Sequence, residues 1–180
     1  AEIIKYGMIA DEGLFALLER YSKSLPRLDE ALLEDVIKRC CHIKARIVQQ
    51  DVRETTGLRA ILNYGHTIGH AVESVTGYAR YSHGEAISIG MRAAARIAGI
   101  MGLIDEEVER RQRKLLEAAG LPTGLTGIEP GRLIEATLLD KKTVAGKTRF
   151  VIPLSVGRVV VKDNIPEEAV ERALREVAEA

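Results

Sequence analysis

Leu62-Asn63-Tyr64-Gly65-His66-Thr67-Ile68-Gly69-His70-Ala71-Val72-Glu73, followed by Tyr81-Ser82-His83-Gly84-Glu85-Ala86, contains three of the chain's four histidines. His66 and His70 are four apart, so a helix stacks them one turn above each other on one face. His83 comes after a break at Gly77-Tyr78 and opens a long apolar run. Two imidazoles on a helix and a third on the next element suit a transition metal, with a position left open for substrate. Glu2, Glu54, Glu73 and Glu85 offer carboxylates to complete such a site, and spacing alone leaves the ligand set open. The bland alternative makes His66 and His70 core residues satisfied by Asn63 and Tyr64. No H-E-x-x-H occurs, which disfavours a metalloprotease.

Outward from this stretch the pattern is helical. Gly84 to Gly99 is apolar nearly all round and belongs in the middle of a bundle. Upstream, Leu58 to Leu62 leads into the histidine helix, and Asp51 to Gly57 reads as a polar turn. Leu28 to Gln50 has apolar residues at Leu32, Leu33, Val36, Ile37, Ile43 and Val48, which fits period 3.6. His42 inside it has no partner at a ligand spacing and reads as structural. Asp11-Glu12-Gly13 caps a segment over Leu14 to Leu18 that ends near Pro26, and Ala1 to Tyr6 reads as a helix already under way. Glu2 and Lys5 share a face there, blandly an exposed ion pair. Downstream, helices are expected over Asp105 to Ala119, over Gly131 to Leu139 and from Pro166 to the end. The β-branched runs Arg149 to Leu154 and Gly157 to Val161 predict one hairpin, with Pro153 on an edge strand. The fold class is mainly α: a multi-helix bundle with one small β-hairpin.

Length fits one domain, and a charged fraction of 29% beside a hydrophobic fraction of 46% is ordinary for a globular chain. Balanced charge, with 26 basic and 26 acidic residues, argues against nucleic-acid binding by bulk charge. Low aromatic content and the absence of Trp disfavour base stacking. The adjacent Cys40 and Cys41 read as reduced thiols, which points to a cytoplasmic setting. No stretch has membrane-spanning length. No strand leads into a glycine-rich turn, so a dinucleotide pyrophosphate has no usual cradle here.

Basic residues Lys5, Lys44, Arg59, Lys141 and Lys142 accompany Asn63, a set suited to a substrate carrying carboxylate and phosphate. Taken together, Glu2-Ile3-Ile4-Lys5-Tyr6-Gly7, Gly57 to Ala71, His83-Gly84-Glu85-Ala86 and Asp140-Lys141-Lys142 resemble 3-dehydroquinate synthase, in order and over essentially the whole chain. The resemblance is to that family's C-terminal helical domain; the N-terminal NAD-binding domain has no counterpart, and residues 1–180 read as a domain cut from a longer protein.

The resemblance implies Glu2, His66 and His83 as ligands of Zn2+ or Co2+. It implies Lys5, Lys44, Arg59, Asn63 and the Lys141-Lys142 pair as substrate-binding, and Glu54 and His70 as proton-transfer residues. It also implies a substrate, 3-deoxy-D-arabino-heptulosonate 7-phosphate, turned over with NAD through transient oxidation, phosphate loss, reduction and an internal aldol. A homodimer is expected, with activity only when the NAD-binding domain is present. Thr55-Thr56 departs from the family pattern by lengthening the interval between Glu54 and Arg59 by one residue. Alternatives are a related cyclase making 2-deoxy-scyllo-inosose or epi-valiolone, or a non-catalytic helical module stabilised by metal.

Overall fold

A computed structural model describes residues 1–27, 29–53, 55–139 and 149–179. Helices α1 (Glu2–Ala10), α2 (Glu12–Arg20) and α3 (Glu30–Gln50) come first. A 3-10 turn (Leu58–Asn63) precedes α4 (His66–Val75), α5 (His83–Ile100), α6 (Glu106–Ala118) and α7 (Pro130–Leu139). Strands β1 (Phe150–Ser155) and β2 (Arg158–Lys162) lead to α8 (Glu167–Ala178). Among the described residues the β structure is a single antiparallel hairpin, Val151 facing Val161 and Ile152 facing Val160. Its register shifts between Pro153 and Ser155, and Gly157 turns the chain at φ +80°. Pro153 lacks an N–H, so it weakens pairing where the ladder breaks.

Local chemistry sets the helix ends. Asp11 accepts the Leu14 N–H at 2.8 Å and Asp29 that of Leu32 at 2.9 Å, which starts α2 and α3 by side-chain capping. Helix α3 buries Val36, Cys40, Ile43 and Ile47, one stripe at helical spacing, and leaves His42 exposed. That position gives His42 no place in the core.

The interior has two apolar clusters. One joins α1, α2, α3 and part of α6, including Met8, Phe15, Ile43 and Leu115. The other joins α4, α7 and α8, including Ile68, Leu133 and Leu174. Helix α5 serves both: Ile87 and Met91 face the first, Ile89, Ala93 and Ile97 the second. Strand β1 does likewise through its two-residue period, with Val151 on one side and Phe150 and Ile152 on the other.

Where α4 crosses α5, glycines remove the Cβ atoms. A Cβ on Gly90 would lie 2.0 Å from the Gly65 carbonyl oxygen, and one on Gly69 would meet Ile87 Cδ1 at 2.7 Å. Gly65 also holds φ +81°, a left-handed value that glycine adopts without cost. This bend separates the 3-10 turn from α4. Beneath it Tyr64 is fully buried; its hydroxyl donates to Gln112 Oε1 at 2.5 Å, and Gln112 Nε2 donates to the Met91 carbonyl at 2.9 Å. Burial pushes the Tyr64 phenol far above its ordinary pKa, which keeps the donor on the ring. None of the described helices is long and apolar enough to cross a membrane.

Candidate metal centre and anion pocket

Three elements meet at one end of the bundle. Glu2 is the first residue of α1, His66 the first of α4 and His83 the first of α5. The start of the chain abuts α5: a Cβ on Gly84 would be 3.6 Å from that of Ala1. Glu2, His66 and His83 each offer one ligand atom, and these atoms lie within 4.8 Å of one another. The rings of His66 and His83 are 5.4 Å apart between centroids.

Hydrogen bonds decide which nitrogens are free. His66 Nδ1 is 3.2 Å from the Tyr64 carbonyl oxygen, which can only accept, so Nδ1 carries the proton and Nε2 keeps a lone pair. His83 Nδ1 is 3.0 Å from Glu73 Oε1, an acceptor, so there too the proton sits on Nδ1 and Nε2 is the nitrogen turned toward the site. His66 has its pKa lowered, mainly by burial and further by Lys5 and His70, which outweighs the raising by the Tyr64 carbonyl and Glu2. Its neutral form is therefore favoured. Glu2 Oε1 is buried and has no hydrogen-bond partner among the described residues, and it lies 3.9 Å from His66 Nε2, beyond hydrogen-bond reach. A buried acceptor without a donor, facing a neutral imidazole lone pair, is the donor chemistry that suits a cation. Two imidazoles, one carboxylate and an open side fit a divalent ion such as Zn2+.

The other candidate carboxylates are placed differently. Glu85 accepts from the Ser82 backbone N–H at 2.7 Å and hydroxyl at 2.8 Å, closing the N-terminus of α5. Glu73 reaches the site only through His83. Glu54 lies outside the described residues, as do Lys141 and Lys142. His70 stands exposed one turn along α4, its ring 5.6 Å from that of His66 and 6.3 Å from that of His83.

Beside these donors opens a cavity of about 490 Å³ lined by Glu2, Lys5, Lys44, Arg59, Asn63 and His66, among others. Every described residue expected to bind substrate borders it. The expectation of an exposed Glu2–Lys5 pair is corrected in part. Lys5 is only 3% exposed and donates to Glu2 Oε2 at 2.7 Å, because the aliphatic stem of Lys5 is packed within α1's buried face.

Three pocket residues were not anticipated. Asp51, 2% exposed at the end of α3, accepts the backbone N–H groups of Thr56 and Arg59, each at 3.1 Å. These bonds hold its carboxyl below the ordinary range, the Thr56 bond most strongly. Thr67 donates from its hydroxyl to the Arg149 carbonyl at 2.9 Å, and Arg149 itself lines the cavity, so the hairpin is clamped on as a wall. Nothing in the spacing of Thr67 and Arg149 marked them, and Asp51 read only as part of a polar turn; an acid at a helix C-terminus, opposed to the helix dipole, was the one signal that could have singled it out.

Comparison with known proteins gives the class first. The solved 2-epi-5-epi-valiolone synthase of Streptomyces hygroscopicus, with NAD+ and Zn2+ bound, matches 99% of the chain at a TM-score of 0.86 and 26% identity. A 2-deoxy-scyllo-inosose synthase complexed with carbaglucose-6-phosphate, NAD+ and Co2+ matches 98% at 0.79 and 25%. The chain thus has the helical half of the sugar-phosphate cyclase fold, covering 49% and 50% of those chains.

Residues 1–143 match the family described as 3-dehydroquinate synthase C-terminal. Relatives named 3-dehydroquinate synthase are 49% identical over 97% of the chain in Nostoc punctiforme and 44% over 98% in Crocosphaera subtropica. The chain belongs to the 3-dehydroquinate synthase family. It spans about half the length of the curated relatives it matches, 49% of each.

Proposed function

We propose that residues 1–180 form the C-terminal metal- and substrate-binding domain of a 3-dehydroquinate synthase, working with an N-terminal NAD-binding domain. The reaction converts 3-deoxy-D-arabino-heptulosonate 7-phosphate to 3-dehydroquinate and phosphate, in the shikimate route to aromatic amino acids, in a cytoplasmic homodimer. The observation that carries this reading is the meeting of Glu2, His66 and His83 donor atoms within 4.8 Å at the rim of a cation-lined cavity.

Glu2, His66 and His83 hold the ion in this reading. When bound, Zn2+ or Co2+ supplies Lewis acidity to the substrate hydroxyls, and NAD on the other domain supplies the transient oxidation. The remaining roles fall to this chain's side chains. Arg59 presents a planar fork to a carboxylate or phosphate, while Lys5 and Lys44 add point charges. Asn63 can both donate to and accept from hydroxyls. Lys141 and Lys142 extend the cationic set in this reading. His70, exposed beside the metal ligands, moves a proton at its ring nitrogen, and Glu54 has the partner role.

A second reading makes the chain half of one of the related cyclases, which the structural likeness favours. The higher sequence identity to 3-dehydroquinate synthases weighs against it. A non-catalytic metal-stabilised module is the reading left if metal binds and no substrate does. The test combines the chain with the N-terminal half of a relative and follows phosphate release from the heptulosonate phosphate, glucose 6-phosphate and sedoheptulose 7-phosphate. Release from the first alone is expected. Release from either of the others, or from none by a metal-loaded complex that binds NAD, overturns the assignment.

A further inference from the structure

His66, His70 and Glu73 stand at i, i+4 and i+7 on α4, so the helix shows two imidazoles and a carboxylate on one face. Glu73 does not reach the donor cluster itself. Its Oε1 meets His83 Nδ1 at 3.0 Å, across ten residues and onto another helix. We infer that Glu73 is a positioning residue of the proposed metal site, fixing the ring and tautomer of His83 and supplying the site's second negative charge. This rests on the metal-binding reading above.

Three observations support it. First, His83 is the most exposed of the three candidate ligands, with 52% of its side chain open, whereas the Glu73 side chain is 13% exposed. An open imidazole at the first residue of a helix needs a fixed partner to hold one orientation, and a carboxylate that only accepts selects the Nδ1–H tautomer.

Second, charge is short at the centre. Glu2 spends its carboxylate on the buried Lys5 ammonium at 2.7 Å, so that pair sums to zero beside a divalent ion. His66 leans on a neutral backbone carbonyl. Among the described residues Glu73 is an acid whose carboxylate meets a candidate ligand, His83, rather than a lysine. Glu85 cannot take its place, being held in the α5 cap by Ser82.

Third, the Glu73 backbone is anchored. Its carbonyl accepts the Tyr78 N–H at 2.8 Å and the Thr76 hydroxyl at 3.2 Å, where the chain leaves α4 with Tyr78 at φ 57°. A non-glycine residue held in the left-handed region marks a turn fixed by its surroundings.

The test uses the metal-stripped 180-residue chain and its Glu73→Gln and Glu73→Ala variants. Zn2+ and Co2+ affinities are measured by calorimetric titration, Co2+ coordination by its visible spectrum, and the His83 tautomer by nitrogen NMR without metal. Glu73→Ala is expected to weaken both ions about 10- to 100-fold and to release the His83 tautomer, leaving that of His66 in place. Glu73→Gln keeps an acceptor without the charge, so it is expected to keep the tautomer and lose less affinity. Wild-type binding with Glu73→Ala affinity within twofold and an unchanged His83 tautomer overturns this inference alone. A wild-type chain that takes up neither ion overturns the metal-site reading as well.

Discussion

Asp51 shows how one side chain shapes the pocket. Its two oxygens hold the backbone N–H groups of Thr56 and Arg59, so the loop after α3 closes over a carboxylate and delivers Arg59 to the cavity wall. The folded-state pKa is depressed, so this contribution is present above the ordinary carboxylate range and is lost as pH falls through the depressed value. Asp51→Asn is therefore expected to lower the urea midpoint at pH 7 and to flatten the decline of stability below pH 4, measured by melts across that range. Cys40 gives a second expectation. Burial, with help from Cys41 and Asp11, pushes its thiol up to about 11, while Cys41 is exposed. At pH 8 iodoacetamide should modify Cys41 well before Cys40, read by peptide mass spectrometry. Neither environment was legible in sequence. The polar character of residues 51–57 was plain, but bonds spanning five and eight residues follow no periodic pattern. The adjacency of the cysteines likewise did not say which faces inward.

Elements were far more legible than contacts. The 3.6-residue period foretold α3, and β-branched runs around Gly157 foretold the hairpin, because both follow from which faces must be buried. Spacing also put His66 and His70 on one helix face. It did not show that a 3-10 turn and a left-handed Gly65 intervene before that helix. The reason lies in the α4–α5 contact, where backbone must approach backbone. Gly90→Ala would drive a methyl into the Gly65 carbonyl, so it is expected to destabilise the fold by about 1–3 kcal/mol or more. Separating the helices also moves His66 away from His83, so metal affinity should fall with stability. Urea melts and Zn2+ titration of the same variant check both halves of this expectation. The Glu73–His83 contact was hidden for a related reason: it depends on how two helices cross.

At the scale of the molecule, no period links Glu2 to His66 and His83; family resemblance rather than spacing singled out that trio. The structure brings their donor atoms together from the first turns of three helices. Because the chain spans about half of its relatives, it is expected to give no turnover with added NAD alone and to gain it once an N-terminal half is supplied. Steady-state phosphate release before and after that addition checks this. Helix α5 has a wider consequence. It is the beam on which both apolar clusters rest, and His83 is its first residue. An ion held at the tip of that beam, as proposed above, would link the first turns of α1, α4 and α5 to a helix that contacts both halves of the interior. Loading with Zn2+ is expected to raise the calorimetric Tm, since an ion that binds only the folded chain stabilises it.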